Sequence, residues 1–459
     1  MMYTFPNKLR NLAIAFMVIG FLGLAYGFIT APSTIEEAKA MVASSHGDGH
    51  GESHDAAPAD SHGEETSHAI SESHETSSEE HGTTSHEEGH DTSHDEHLFH
   101  QLSNKPWAAL YVAAFFFFMI SLGVLAFYGI QRAAQAGWSP VLYRVMEGIT
   151  GYLLPGGIIV IVILALSGMH FNHLFIWMDP EIVAHDKLIA GKTGFLNLPF
   201  FLSRAVFFLT GWSLYRYFSR KFSLAQDEAN DISNHKKNFR ISAAFLVFYI
   251  VTESIMSWDW IMSIDPHWFS TLFGWYVFAS MFVSGITAIA LVTIYLKSKG
   301  YLEFVNSSHL HDLAKFMFGF SIFWTYLWFS QFLLIWYANI PEEVTYFVTR
   351  IEDYKLPFFG MLVMNFIFPF LVLMNSDYKR IPWFIVMAGI VILIGHYLDV
   401  FNMIMPATVG DRWSVGLPEL SALALFSGLF LLLVFYALSK HPLLPKGNPF
   451  IKESEHFHY

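Results

Sequence analysis

Five ionisable side chains fall inside long apolar runs or at their ends: Arg204, Glu253, Asp259, His396 and Asp399. Such groups are expensive in a hydrocarbon environment, so each marks a candidate site whose partner has to be found. His396 and Asp399 stand three residues apart on one helix face, as do His170 and His173. An imidazole beside a carboxylate accepts a proton near neutral pH, which is the chemistry needed to take one from a weakly acidic hydroxyl. Arg204, Glu253, Asp259, His396 and Asp399 are therefore the candidate proton path.

Arg204 and Glu253 lie at similar depth, about 14 Å and about 16 Å from one end of adjacent runs at ~1.5 Å per residue. The expectation is an Arg204–Glu253 pair, either a salt bridge fixing helix register or a step in proton transfer. Asp259 sits in SWDWIMSIDPHW, where Trp258, Trp260 and Trp268 read as an interfacial anchor and Asp265 before Pro266 as a turn residue. Asp259 is the deeper carboxylate, suited to capping the loop or to taking protons at the outer surface.

The elements that must hold these groups are helices. With 53% hydrophobic and 14% charged residues, the 459-residue chain reads as an all-α polytopic membrane protein. Ten apolar runs are expected to span the bilayer, at about 9–30, 107–130, 147–170, 195–218, 241–263, 270–297, 311–338, 356–375, 381–403 and 417–438. Lys and Arg number eighteen on the side holding both termini and seven on the other, so both termini are expected in the cytoplasm. The start of the chain reads as a retained span, since its apolar stretch is too long for a signal-peptide core.

Residues 31–106 are expected outside as a periplasmic, disordered loop rich in His, Glu and Asp, with a net charge of −15 against +2 for the rest. Twelve of the 23 histidines lie there, some at four-residue steps (His46, His50, His54; His86, His90, His94) that suit Zn or Cu. The loop reads instead as a solvated polyanion, because nothing fixes a ligand geometry, and no metal site is expected. Without cysteine the chain can hold no thiolate-ligated iron–sulfur cluster and no C-x-x-C-H haem. The pair His170 and His396 has no counterpart at another depth, so a transmembrane haem wire is not expected.

An internal repeat orders the spans. NLPFF at 197–201 matches KLPFF at 355–359, LFIW at 174–177 matches LLIW at 333–336, and PEIV at 180–183 matches PEEV at 341–344. Asp259 and Pro266 are seven apart, as are Asp399 and Pro406. The units lie four spans apart, which gives them one orientation and predicts two parallel four-helix bundles, spans 2–5 and 6–9. The expected organisation is an N-terminal helix at 1–30, the loop at 31–106, a first bundle at 107–268, a second at 269–406, and a C-terminal helix with a cytoplasmic tail at 407–459. The repeat sets Leu362 against Arg204 and Leu393 against Glu253, so only the first bundle carries that polar pair.

SIDPHWFSTLFGWYVFAS at 263–280 and HYLDVFNMIMP at 396–406, within ten spans, resemble the NrfD-like membrane subunits of Alternative Complex III. The likeness covers nearly everything except the His-rich loop. It implies a subunit of a bacterial quinol:cytochrome c oxidoreductase in the inner membrane. Its partners would be a sibling NrfD-like subunit, iron–sulfur and multihaem cytochrome c subunits, and lipids, with no nucleic acid. Menaquinol is the implied substrate, and His170, His173, Asp259 and His396 are the candidate quinone site. The remaining readings are a scaffold subunit and a secondary transporter. Broken helices around a central site would favour a transporter, whereas Pro and Gly lie mostly near span ends here.

Overall fold

The computed structural model describes residues 2–47 and 87–458, and those residues form helices without a sheet. In chain order they are α1 (Asn7–Ile29), α2 (Ile35–Gly47), α3 (Glu87–Ala133), α4 (Tyr143–Ile149), α5 (Leu153–Gly168), α6 (Pro180–His185), α7 (Lys187–Ala190), α8 (Leu198–Glu228) and α9 (Ser233–Trp260). After these come α10 (Phe273–Ser298), α11 (Ser307–Ala338), α12 (Pro341–Glu352), α13 (Lys355–Leu362), α14 (Phe368–Leu373), α15 (Pro382–Val409), α16 (Leu417–Leu438) and α17 (Ile451–Glu455). Among the described residues, nine helices are long and apolar enough to cross a membrane, which makes the chain a polytopic membrane protein. The expected fourth span is the 31-residue α8, whose apolar course is interrupted by Arg204, Arg216 and Arg220.

The chain divides into a larger unit, Met1–Ala31 with Asn104–Tyr459, and a smaller one, Pro32–Ser103. The expectation of disorder over 31–106 does not hold at its flanks. Glu36 and Glu37 complement the N-terminal end of α2, and Ser33 donates to Glu37 Oε2 through its backbone N–H at 2.8 Å. Lys39 pairs with Asp95, tying α2 to the start of α3 within this unit. Residues 48–86, with most of the histidine repeats, lie outside the described residues.

In the larger unit α3 and α10 are central. Residues 111–129 of α3 are buried without exception. The two helices meet backbone to backbone: a Cβ on Gly123 would come 2.3 Å from Met281 O, and one on Gly285 would come 2.8 Å from Val124 N. Small residues permit this approach where no water is present to drive helices together. The first and last long helices pair by the same device, Gly20 of α1 facing Leu425 and Gly428 of α16 facing Ala13 O.

The repeated motifs recur as local structure. PEIV and PEEV open α6 and α12 with proline in the first turn, and both LPFF segments open helices, α8 and α13. The copies then diverge. LLIW completes α11, while LFIW lies in a non-α-helical stretch after α5. Pro266 follows the end of α9, while Pro406 lies inside α15.

Candidate functional site

Asp259 occupies the last turn of α9 and is fully buried. Arg204, in the second turn of α8, meets it with a two-pronged fork: Nε donates to Oδ2 at 2.7 Å and Nη2 to Oδ1 at 2.8 Å. The guanidinium also donates to Phe195 O and lies between the Phe195 and Phe200 rings, 4.0 and 4.1 Å from their centroids. Every face of the cation is therefore engaged.

The expected Arg204–Glu253 pair is not formed. Helical side chains lean toward the helix N-terminus, so Arg204 reaches back to the start of α8, where α9 ends, and away from Glu253. Glu253 lies six residues before Asp259 and is 3% exposed, and its Oε1 has no hydrogen-bond partner. Beside it is a cavity of ≈ 160 Å³ lined by Tyr249, Trp275 and Phe278.

The second aspartate, Asp399, is also fully buried, in the middle of α15. It accepts from Tyr276 Oη and from Trp324 Nε1, the latter at 2.8 Å. His396 Nδ1 lies 3.4 Å from Asp399 Oδ2, as their spacing implied, and 2.9 Å from Ser280 Oγ. A π-helical turn at Val363–Ile367 carries Asn365 to the same imidazole, Nδ2 to Nδ1 at 3.4 Å. Gly395 makes room for it, since a Cβ there would fall 2.1 Å from Asn365 Oδ1.

Arg350 of α12 approaches this cluster from the connecting segment. It donates to Asn402 O at 3.0 Å and to Tyr346 O at 2.7 Å, and its guanidinium carbon stands 3.3 Å from the Tyr346 ring centroid. Among the described residues no carboxylate pairs with it. A cavity of ≈ 10 Å³, the space of about one water, lies among Tyr276, Gln331, Arg350 and Asn402.

The four candidate quinone residues occupy separate surroundings. His170 is exposed on the turn after α5 with φ 61°, and the backbone of His173 is held by the Asn104 amide at 2.9 and 3.0 Å. Asp259 is engaged by Arg204, and His396 is enclosed among Ser280, Trp324, Asn365 and Asp399. The tryptophan anchor is also revised. Trp260 packs inside against Phe118 and Trp212, and Trp268 stacks on Tyr346 at 3.9 Å, so these indoles build the interior. Asp265 is the turn residue expected, accepting from His267 N at 3.3 Å.

Sequence reasoning missed Tyr276, Trp324 and Asn365, because aromatics and an amide in apolar runs look like core, and it missed Arg350, which lies on the connecting helix α12. It also missed a charged network near the C-terminal end of α3. There Glu147 takes Arg144 at 2.7 Å, Tyr128 Oη at 3.0 Å and Arg132 at 3.6 Å, and Arg144 also holds Asp227 at 2.5 Å. Among the described residues no three His, Cys, Asp or Glu side chains come together as a metal-ligand set. Compared with known proteins, the chain matches no family model and no curated relative.

Proposed function

We propose that this chain is an integral membrane subunit of a quinol:cytochrome c oxidoreductase of the bacterial cytoplasmic membrane, where it handles protons released near the outer face. The observation that carries the reading is the pair of aspartates, Asp259 and Asp399, each with no exposed surface and each held by side-chain donors in an apolar interior. Buried ionisable groups of this kind mark proton and ion pathways. On this reading α8 is the tenth span, the bundles are two and parallel, and both aspartates lie toward the outer side. The Glu147 network supplies ionisable groups at the inner end, and the Tyr215–Ser242 and Trp212–Thr252 hydrogen bonds, at 2.8 and 3.0 Å, lie between. Electrons pass through iron–sulfur and multihaem partners, the sibling membrane subunit being the other quinol-facing component.

The test is menaquinol oxidation and proton release in the assembled complex carrying Asp399→Asn, which removes ionisation while keeping the shape. Slower proton release with normal assembly is expected; unchanged turnover and unchanged proton release would sink the reading. A scaffold role is the second reading, favoured by the Arg204–Asp259 fork, because an ion pair with all its donors engaged is what fixes helix register.

A further inference from the structure

We propose that the cleft where α8 and the end of α16 meet the start of α5 binds an anionic phospholipid, its phosphodiester on Arg216 and an acyl chain along α5. The inference is independent of the quinol-linked reading. The level of the cleft follows from α16, whose 22 residues at ~1.5 Å each span about 33 Å, close to the ~30 Å hydrocarbon core. Ala437, in the last turn of α16, therefore lies near the head groups, and Arg220 Nη2 donates to its carbonyl at 3.4 Å. A Cβ on Gly151, just before α5, would stand 2.8 Å from Ala437 Cβ and 3.6 Å from Arg216 Nη2. All three helices thus converge at Gly151.

The cleft holds more positive charge than the protein answers. Four guanidiniums, Arg132, Arg144, Arg216 and Arg220, face two carboxylates, Glu147 and Asp227, and Arg132 and Arg144 take those carboxylates. Arg220 spends its Nη groups on neutral carbonyls, Glu147 O at 3.2 Å and Ala437 O. Arg216 gives Nε to Thr150 Oγ1 at 3.2 Å, and among the described residues its Nη groups bond nothing. Lys440 is exposed above the Tyr436 ring, 4.1 Å from its centroid, and among the described residues no carboxylate pairs with Arg216, Arg220 or Lys440. His441 registers the excess: burial first, then the Arg220 and Arg144 charges, hold its pKa below the ordinary value against the pull of Glu147. A phosphodiester matches the half-buried Arg216, taking both Nη groups in charge-assisted bonds. A zwitterionic head group would bring a further ammonium to a site already rich in cations.

An apolar track leaves the cleft. Leu154, Ile158 and Val162 follow Gly151 at three- and four-residue steps, which puts them on one face, and all three are exposed. From 154 to 162 the track runs about 12 Å toward the membrane centre at ~1.5 Å per residue. A free anion gains nothing from that surface, whereas an acyl chain lies along it.

The full chain in detergent, titrated with phosphatidylglycerol and read by native mass spectrometry, tests the site. Phosphatidylglycerol should bind about tenfold more tightly than phosphatidylcholine. At about fivefold per cation near a head group, Arg216→Gln should weaken binding about fivefold and Arg216→Gln with Lys440→Gln about 25-fold. Lys236→Gln, an exposed cation at the start of α9, should leave it unchanged. Lys440 is exposed, so Lys440→Gln alone, with its expected loss of about fivefold, keeps the test decisive if Arg216→Gln fails to fold. Equal affinity for the two lipids overturns the proposal, as does undiminished binding in these variants or displacement by inorganic phosphate at the lipid's own concentration. In whole cells, Ile158→p-benzoylphenylalanine reads the track with the charged network untouched. Crosslinks enriched in anionic phospholipid over its share of the membrane are expected; crosslinks to another polypeptide, or to lipids in bulk proportion, overturn the site.

Discussion

Asp259 and Asp399 each precede a proline by seven residues and each is fully buried, yet their surroundings solve the burial of a carboxylate in opposite ways. Asp259 is matched by a full charge, the Arg204 guanidinium, at the end of its helix. Asp399 lies in mid-helix among neutral donors, the Tyr276 hydroxyl and the Trp324 indole, with His396 three residues away. A carboxylate locked to a guanidinium has little reason to change protonation. One held by a phenol and an indole, with an imidazole 3.4 Å away, has a neighbour that can exchange a proton. Under the proposed function, rigidity belongs to the first half and proton exchange to the second.

The largest expected effect breaks the first half. Asp259→Leu leaves Arg204 buried without its counter-charge and should cost about 3–5 kcal/mol, read as loss of folded, monodisperse protein in detergent. Arg204→Met with Asp259→Leu removes both charges and should recover most of that yield. A double variant as unstable as the single one would show that the fork is not what holds α8 against α9.

Asp399→Asn should be milder, about 1–3 kcal/mol, because the Trp324 indole can still donate to the amide oxygen while the amide NH2 donates to the Tyr276 hydroxyl, which can accept as well as donate. The contrast with Asp259→Asn is the measurement: equal losses of thermal stability would erase the distinction between a charge-matched and a dipole-matched aspartate. Arg350→Lys ranks next, at about 1–2 kcal/mol, since lysine keeps the charge but not the planar contact with Tyr346 or both carbonyl bonds. An unchanged melting temperature would remove Arg350 from the cluster.

What the sequence made legible follows the same division. The spans could be read from apolar runs, and the His396–Asp399 face from helical spacing, because both are properties of a single helix. Arg204 was matched to Glu253 by depth alone. Depth ignores that an arginine side chain extends several ångströms toward the start of its own helix, which carried it to Asp259. Asn365 reaches His396 through a π-turn, and Arg350 arrives on a connecting helix. Neither the turn nor the approach leaves a periodic trace, so the second half looked emptier than it is.

The smallest expected effect on stability sharpens the comparison most, and it concerns Glu253. Its Oε1 has no hydrogen-bond partner, and an apolar cavity of ≈ 160 Å³ lies beside it. A carboxyl group in that setting gains nothing from an ion pair, so Glu253→Gln should change stability by no more than about 1 kcal/mol, and Glu253→Leu should be neutral or stabilising. A large loss in either variant would mean that the side chain has a structural partner after all. Given intact assembly, proton release separates the remaining roles. If Glu253→Gln slows release as much as Asp399→Asn does, the first half also exchanges protons, through Glu253 and past the rigid Asp259 fork. If only Asp399→Asn slows it, Glu253 is a tolerated burial, and proton exchange belongs to the half of the molecule whose aspartate has no guanidinium.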